Sequence, residues 1–200
     1  MSYVVAIDGN IASGKTTVLK EIERLGYKVY FEPFENNPWL PLYYREPKKY
    51  ALNTQLWFLS ERFRQYKNAD FSTDEIVFIE RSMYTDRHVF VKMIAEQGNL
   101  DEIELKTYKH HFDIYKNPKP DLAVTFMIEP EECLKRLHKR NRGMEAGVSV
   151  DYLRDLGKVY REAYHKLGYE SVAIEEPDTP ENLAKHIITL AEQHKAMADL

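Results

Sequence analysis

The stretch Gly9-Asn10-Ile11-Ala12-Ser13-Gly14-Lys15-Thr16 decides how this sequence folds. It fits the pattern G-x-x-x-x-G-K-[ST] and joins an apolar run, residues 3–7, to an amphipathic run, residues 16–25. A strand that leads through a glycine-rich turn into a helix N-terminus aims backbone N–H groups at one point, which makes an anion site. We therefore expect this loop, with Thr17, to bind nucleotide triphosphate. Lys15 would bind the β- and γ-phosphates, and the Thr16 hydroxyl would coordinate Mg²⁺.

Length, charge and cysteine content limit the class of protein. The chain has 200 residues and a net charge of −4, so we expect one domain over residues 1–200 with no nucleic-acid polymer as partner. No apolar run approaches the length of a membrane span, and the first residues lead directly into the strand predicted at residues 3–7, so neither a membrane anchor nor a targeting peptide is expected. The single cysteine, Cys133, is expected to be a buried thiol in a reducing compartment, which favours the cytoplasm.

Strand and helix patterns alternate along the chain. We predict strands at residues 3–7, 27–31, 75–79, 122–128 and 171–174. We predict helices at residues 16–25, 50–65, 83–97, 103–116, from 130 onward, 151–167 and 180–193. This alternation predicts an α/β fold, in which a five-stranded parallel sheet carries helices on both faces.

The carboxyl ends of the predicted strands carry candidate catalytic residues, because ligands of such sheets collect there. Glu32 is a candidate general base for phosphoryl transfer, and a solvated loop acid is the alternative. Glu80 ends an apolar strand, where a carboxylate needs a metal or a cation, so it is a candidate to organise Mg²⁺. Arg81 is a candidate to steady the acceptor oxygen or the transferred phosphoryl group, and a plain ion pair with Glu80 is the alternative.

A third group of residues lies in a basic run. Arg136 and Arg140 are four residues apart on one predicted helix face, and Arg142 follows a predicted break. A lid over approximately residues 136–149 that closes on ATP phosphates would relieve the repulsion among these arginines. A solvated basic face is the alternative. Gln55, in an aromatic-rich helix, would suit a nucleobase edge, and a partly exposed glutamine is the alternative there.

Taken together, these features resemble the deoxynucleoside kinase family over nearly the whole chain. The motifs that carry the resemblance are the loop from Gly9 to Thr16, Glu32-Pro33, the Gln55 helix, Glu80-Arg81-Ser82 and the lid from Arg136 to Glu145. The phrases Asn37-Pro38-Trp39-Leu40 and Pro47-Lys48-Lys49-Tyr50 are most similar to the bacterial purine-preferring branch. The resemblance implies a P-loop kinase fold, a homodimer, and ATP-dependent 5′-phosphorylation of deoxynucleosides in nucleotide salvage, with Mg²⁺ as cofactor.

The resemblance also implies roles for individual residues. Glu32 would activate the 5′-hydroxyl beside Arg81, and Glu80 would belong to the metal environment. Tyr44 and Glu145 would hold the 3′-hydroxyl. The residues that would contact the base are Gln55, Arg62, Asp86 and Phe90. The arginines of the lid that would bind phosphate are Arg136, Arg140 and Arg142.

Two departures from the family pattern affect the base pocket. Asn37 stands where the family commonly has a tryptophan, and Thr54 stands where some relatives have an aromatic residue. Arg62 and Asp86 favour deoxyadenosine, deoxyguanosine or deoxycytidine over thymidine.

Three alternatives stay open at the level of sequence. A nucleoside monophosphate kinase, such as thymidylate kinase, would need a second arginine near Glu32, and none is expected there. A GTPase-like switch would need an Asn-Lys-x-Asp phrase, which the sequence lacks. An inactive loop remnant is disfavoured by the intact Lys15-Thr16 pair.

Overall fold

The computed structural model describes residues 1–34, 36–115, 118–163, 170–174 and 178–199. Its sheet has five parallel strands in the order β2-β3-β1-β4-β5. These strands are β1 (Tyr3–Gly9), β2 (Lys28–Tyr30), β3 (Ile76–Glu80), β4 (Leu122–Phe126) and β5 (Glu170–Ile174).

Helices connect the strands. They are α1 (Lys15–Arg24), α2 (Leu40–Arg45), α3 (Pro47–Asn68), α4 (Met83–Thr85), α5 (Lys92–Glu96), α6 (Glu102–Tyr115), α7 (Pro130–Arg140), α8 (Val150–Ala163) and α9 (Pro180–Ala198). A π-helical segment (Asp86–Val91) joins α4 to α5, and a 3₁₀ turn (Gly143–Glu145) follows α7.

The central strand β1 is buried along its entire length, as expected of a parallel strand that is covered on both faces. Side chains alternate between the faces of a strand, so Val5 and Ile7 pack into one apolar cluster with residues of α1, α7 and α9. Val4 and Ala6 pack on the opposite face, in a separate cluster with Ile79. The predicted α/β fold is therefore confirmed.

Several predicted boundaries differ from the structure. Strands β2 and β4 are each two residues shorter than predicted, and helix α2 was not predicted. The predicted helix over residues 83–97 contains the π-helical segment, whose wider turn carries an additional residue that an apolar pattern does not reveal. Residue 116 and residues 164–167, which were also predicted to be helical, lie outside the described residues.

Two expectations from composition can be compared with this fold. Cys133 is buried in α7, and its thiol faces the Ile128 carbonyl oxygen at 3.9 Å. Within the described ranges, every helix is too short or too polar to cross a membrane.

Candidate active site

A cavity of about 310 Å³ lies at the carboxyl ends of the central strands. Every predicted site residue lines this cavity except Gly9, Asn10, Ser13, Arg62 and Arg142. The topology explains the convergence, since parallel strands place their carboxyl ends at one edge of the sheet. The phosphate loop forms one end of the cavity, and side chains from α2, α3 and the π-helical segment form the other.

Gly9 and Asn10 shape the phosphate loop from behind the cavity. Gly9 has a φ of +130°, and a Cβ at this position would lie 2.6 Å from the Phe126 carbonyl oxygen. Only glycine fits so close to β4. The Asn10 side-chain amide donates a hydrogen bond to the Leu153 carbonyl at 2.8 Å, which ties the loop to α8.

Lys15 is buried within the loop and bonds to the loop itself. Its ammonium donates to the Asn10 carbonyl at 2.7 Å, to the Gly9 carbonyl at 3.3 Å and to the Ser13 hydroxyl at 3.4 Å. Burial, followed by the charge of Arg81, lowers the pKa of Lys15 to about 8. A phosphate anion would offer this ammonium a stronger partner than neutral carbonyls.

The two predicted metal-site residues contact each other. The Thr16 hydroxyl donates to Glu80 Oε1 at 2.7 Å, and the Glu32 backbone N–H donates to Glu80 Oε2 at 3.3 Å. Hydroxyl and carboxylate oxygens side by side at the phosphate loop are the ligand types that Mg²⁺ prefers, so the residues present fit this ion.

The Glu32 carboxylate is held between two arginines. Arg62 Nη2 donates to Oε1 at 2.5 Å, and Arg81 Nε donates to Oε2 at 3.1 Å. Burial raises the pKa of Glu32, but the charges of Arg81 and Arg62 outweigh burial and hold the pKa below its ordinary value. Glu32 is thus an ionised, fixed carboxylate rather than a solvated loop acid. Arg81 pairs with Glu32, not with Glu80 as in the alternative interpretation.

Arg62 lies behind the cavity wall and joins two carboxylates. Its Nε donates to Asp86 Oδ2 at 2.5 Å, and its Nη1 donates to the Glu80 carbonyl at 3.0 Å. Burial lowers the pKa of Arg62, but the charges of Asp86 and Glu32 outweigh it and raise the pKa above its ordinary value. The expectation that no second arginine lies near Glu32 was therefore wrong, because the long Arg62 side chain reaches Glu32 from α3.

Tyr44, Glu145 and Arg140 meet on the lid side of the cavity. Arg140 Nε donates to Glu145 Oε2 at 2.9 Å, and Arg140 Nη2 forms a second bond to Oε1. Burial, and next the charge of Glu145, raises the pKa of Tyr44 well above its ordinary value, so the Tyr44 hydroxyl stays protonated. A tyrosine hydroxyl and a carboxylate at one wall are groups that bind a sugar hydroxyl.

The other two lid arginines differ in position. Arg136 Nη1 donates to the Ser13 carbonyl at 3.2 Å, and its Nε bonds to Glu132 at 2.9 Å. Arg142 lies over the Phe34 ring, with its guanidinium carbon 4.6 Å from the ring centroid. Helix α7 ends between these residues, because Asn141 adopts a left-handed conformation with a φ of +46°. The predicted break is thus present, and Arg136 lies directly against the phosphate loop.

The cavity also contains residues that the sequence analysis did not assign to the site. Phe34 and Tyr152 line the cavity, and Tyr160 of α8 contacts Arg81 from behind it. Tyr152 and Tyr160 lie on the buried side of an amphipathic helix, where a pattern indicates core. The hydroxyl groups of these two tyrosines could have indicated a polar role, since buried tyrosine hydroxyls usually have hydrogen-bond partners.

Known proteins resemble this chain along most of its length. The deoxynucleoside kinase family profile matches residues 5–196. A deoxyguanosine kinase of Dictyostelium discoideum is 33% identical over 80% of this chain and 58% of its own length. A deoxyadenosine kinase of the same organism is 36% identical over 79% of this chain and 65% of its own length. The chain thus spans less than two thirds of these two relatives.

The deoxyadenosine/deoxycytidine kinase of Bacillus subtilis (strain 168) is 30% identical over 78% of this chain and 74% of its own length. Among solved structures, the deoxyadenosine kinase from M. mycoides with bound dATP superposes with a TM-score of 0.80 at 25% identity. That superposition covers 94% of this chain and 99% of the other. The chain belongs to the deoxynucleoside kinase family.

Proposed function

We propose that this chain transfers the γ-phosphoryl group of ATP to the 5′-hydroxyl of a deoxynucleoside. One observation carries the proposal: the Glu32 carboxylate is fixed by Arg62 and Arg81 in a cavity that also reaches Lys15 of the phosphate loop. A positioned carboxylate beside a phosphate site is what proton removal from an attacking hydroxyl needs.

ATP would bind the phosphate loop. Lys15 leaves the loop carbonyls for the β- and γ-phosphates, and the arginines of the lid, residues 136–149, close over the same phosphates. Thr16 and Glu80 would hold Mg²⁺, which neutralises charge on the phosphate oxygens when it is bound. The proximity of Arg136 to Ser13 of the loop, at 3.2 Å, supports this assignment of the lid.

The deoxynucleoside would occupy the opposite end of the cavity. Glu32 accepts the 5′-hydroxyl proton as the oxygen attacks phosphorus, and Arg81 steadies that oxygen. Tyr44 and Glu145 bind the 3′-hydroxyl, and a ribose 2′-hydroxyl would crowd Tyr44.

The base would pack on Phe90 and be read by Gln55 and Asp86, with Arg62 holding Asp86 from behind at 2.5 Å. The pair of Arg62 and Asp86 favours a base with an exocyclic amino group or a paired donor and acceptor. We therefore propose deoxyadenosine, deoxyguanosine or deoxycytidine as substrates over thymidine. Thymidine with the highest kcat/KM in competition kinetics would contradict this preference.

A coupled ATP-consumption assay tests the reaction class. Purified protein is given the four deoxynucleosides, their ribonucleoside counterparts and the deoxynucleoside monophosphates in parallel. We expect turnover with deoxynucleosides and none with monophosphates. Turnover with monophosphates alone would make the protein a nucleoside monophosphate kinase and remove Glu32 from its role as base.

We also propose a homodimer in the cytoplasm. Ile103 and Ile114 of α6 are large apolar side chains with exposed fractions of 75% and 58%, which supports a covered helix face. Sedimentation velocity measures the mass directly. A monomer at micromolar concentration would contradict the dimer.

A further inference from the structure

Tyr160 is a buried tyrosine of α8 that connects two parts of the site without lining the cavity. Its hydroxyl accepts a hydrogen bond from Arg81 Nη1. The backbone of Gly9, the first glycine of the phosphate loop, lies against the same hydroxyl. One hydroxyl thus bonds to the end of β3 and contacts the start of the loop that binds phosphate.

Arg81 needs such a support because its backbone is unusual. It follows β3 with a φ of +63°, in the left-handed region that arginine rarely adopts. Its N–H donates to the Ile7 carbonyl at 3.0 Å, which anchors the backbone to β1. The direction of the long side chain beyond this point depends on its own partners.

The Arg81 guanidinium is held on three sides. Nε bonds to Glu32 at 3.1 Å, the Phe90 ring lies 4.7 Å from the guanidinium carbon, and Nη1 bonds to Tyr160. Glu32 and Phe90 belong to the cavity wall that a substrate contacts, so a substrate competes with both. Tyr160 lies outside the cavity, and its bond can persist while substrate is bound.

We propose that Tyr160 is a positioning residue for phosphoryl transfer: its hydroxyl fixes the Arg81 guanidinium between the phosphate loop and Glu32. The inference rests on the proposed function, because Arg81 is taken to steady the acceptor oxygen. Without the hydroxyl, Nη1 loses a buried acceptor. Among the described residues the guanidinium then keeps one side-chain hydrogen bond, from Nε to Glu32, and the Phe90 ring, and it can turn about that bond. Turnover then falls, while the groups that bind the sugar, the base and ATP stay in place.

Tyr108 of α6 provides a matched control. It is fully buried, and its hydroxyl has no hydrogen-bond partner among the residues that the structure describes. Tyr160→Phe and Tyr108→Phe each remove one oxygen from the protein interior. Removing an unpartnered hydroxyl costs little, whereas removing the acceptor of a charged donor has a larger effect.

The experiment measures kcat, the KM values for deoxyadenosine and ATP, and the Tm of both variants. Tyr160→Phe is expected to lower kcat roughly tenfold or more, with both KM values within about twofold of wild type. Tyr108→Phe is expected to leave kcat and both KM values unchanged. A Tyr160→Phe kcat within twofold of wild type would overturn the proposal, and so would a fall in kcat equalled by Tyr108→Phe.

A double-mutant cycle with Arg81→Lys tests whether Tyr160 acts through Arg81. Lysine keeps the charge beside Glu32 but has one nitrogen, so it lacks the second nitrogen by which Arg81 reaches Tyr160. If Tyr160 acts through Arg81, Tyr160→Phe lowers kcat much less in the Arg81→Lys background than in wild type. Equal fold-losses in both backgrounds would assign Tyr160 a separate structural role.

The wild-type assay separates this inference from the proposed function. Should wild type accept only monophosphates, the proposed function fails, and the same cycle is then run with the monophosphate it accepts. Coupling between Tyr160 and Arg81 in that assay would still support Tyr160 as the residue that positions Arg81. Additive losses would overturn it there as well.

Discussion

The arginines at the strand ends and the arginines of the lid are held very differently. Arg62 and Arg81 have exposed side-chain fractions of 4% each, and both bond to Glu32. Arg136 and Arg140 have exposed fractions of 32% and 30%; Arg136 pairs with Glu132 in the first turn of α7, and Arg140 pairs with Glu145 of the lid. The side of the cavity with Glu32, Arg62 and Arg81, where the acceptor is proposed to bind (the acceptor side), is therefore held by ion pairs among buried groups. The lid side, where ATP is proposed to bind (the donor side), carries arginines that are about one-third exposed.

This difference in burial and bonding suits the two regions to different functions. Buried, multiply bonded groups preserve their geometry, which suits general-base catalysis and recognition of a substrate edge. Arg136 pairs with the largely exposed Glu132, and such a surface ion pair is given up at little cost, which suits a lid that binds and releases phosphate. Substitutions on the acceptor side should therefore damage stability and chemistry, and substitutions on the lid should change interactions with ATP.

The largest expected effect comes from breaking the buried pair of Arg62. Asp86→Ala leaves the Arg62 Nε without its acceptor in a buried site, so the free energy of unfolding should fall by about 3 kcal/mol or more. Urea denaturation measures this change. Asp113→Ala, which removes a largely exposed partner of Arg87, is the matched control and should cost about 1 kcal/mol or less. An equal fall in the free energy of unfolding in the two variants would contradict the claim that buried ion pairs hold the acceptor side rigid.

Removing the proposed base should have the next largest effect. Glu32→Gln keeps the size of the side chain but cannot take the 5′-hydroxyl proton, so kcat should fall on the order of a hundredfold or more. Deoxynucleoside binding, measured by calorimetry, should persist, because the proposed contacts to the sugar and base stay in place. Near-normal turnover would remove Glu32 from the mechanism.

Arg140 tests the lid. Arg140→Ala should lower kcat/KM for ATP roughly tenfold or more, the scale of one lost charged hydrogen bond. It should also lower Tm, because the buried Glu145 carboxylate loses its partner. Initial rates at varied ATP concentration measure this effect. Arg154→Ala is the control, since Arg154 is an exposed arginine of α8 that pairs with Glu131 outside the cavity. A similar loss in both variants would indicate a general effect of charge rather than a phosphate contact.

The smallest expected effect has the opposite sign. Glu132→Gln removes the acidic partner of Arg136, at 2.9 Å, and frees that arginine for phosphate. The KM for ATP should therefore fall by about twofold, the scale of a surface ion pair. Steady-state kinetics at low ionic strength would resolve it. A rise in KM would show that Glu132 helps to place Arg136 rather than competing for it.

The sequence predicted the sheet, the phosphate loop and the strand-end residues of the cavity because these follow from chain order. The cavity residues Tyr44, Asp86, Phe90 and Glu145 were expected only from the family resemblance. Glu80 ends β3, Arg81 follows it, and Glu32 lies two residues after β2. Parallel topology brings these positions to one edge of the sheet, independently of how the helices pack. The motif of the phosphate loop likewise encodes its own local structure. The positions of these residues at one edge of the sheet could therefore be predicted without knowledge of any tertiary contact.

The contacts of Arg62 and Tyr160 could not be predicted in this way. Each lies on a helix, and its partner is decided by where that helix packs and by the reach of a long side chain. Arg62 was expected at the base edge, and the structure places it behind the wall, on both Asp86 and Glu32. The π-helical segment that carries Asp86 and Phe90 was equally hidden, because its apolar spacing matches an ordinary helix.

The contrast between a buried, fixed acceptor side and a lid whose arginines are about one-third exposed is tested most directly by hydrogen exchange. Amide exchange is measured with and without a non-hydrolysable ATP analogue and Mg²⁺. We predict that the analogue slows exchange across residues 136–149, while the amides of Glu32, Arg81 and Asp86 keep the protection they have without ligand. Unchanged exchange in the lid, together with new protection at the strand ends, would contradict the account.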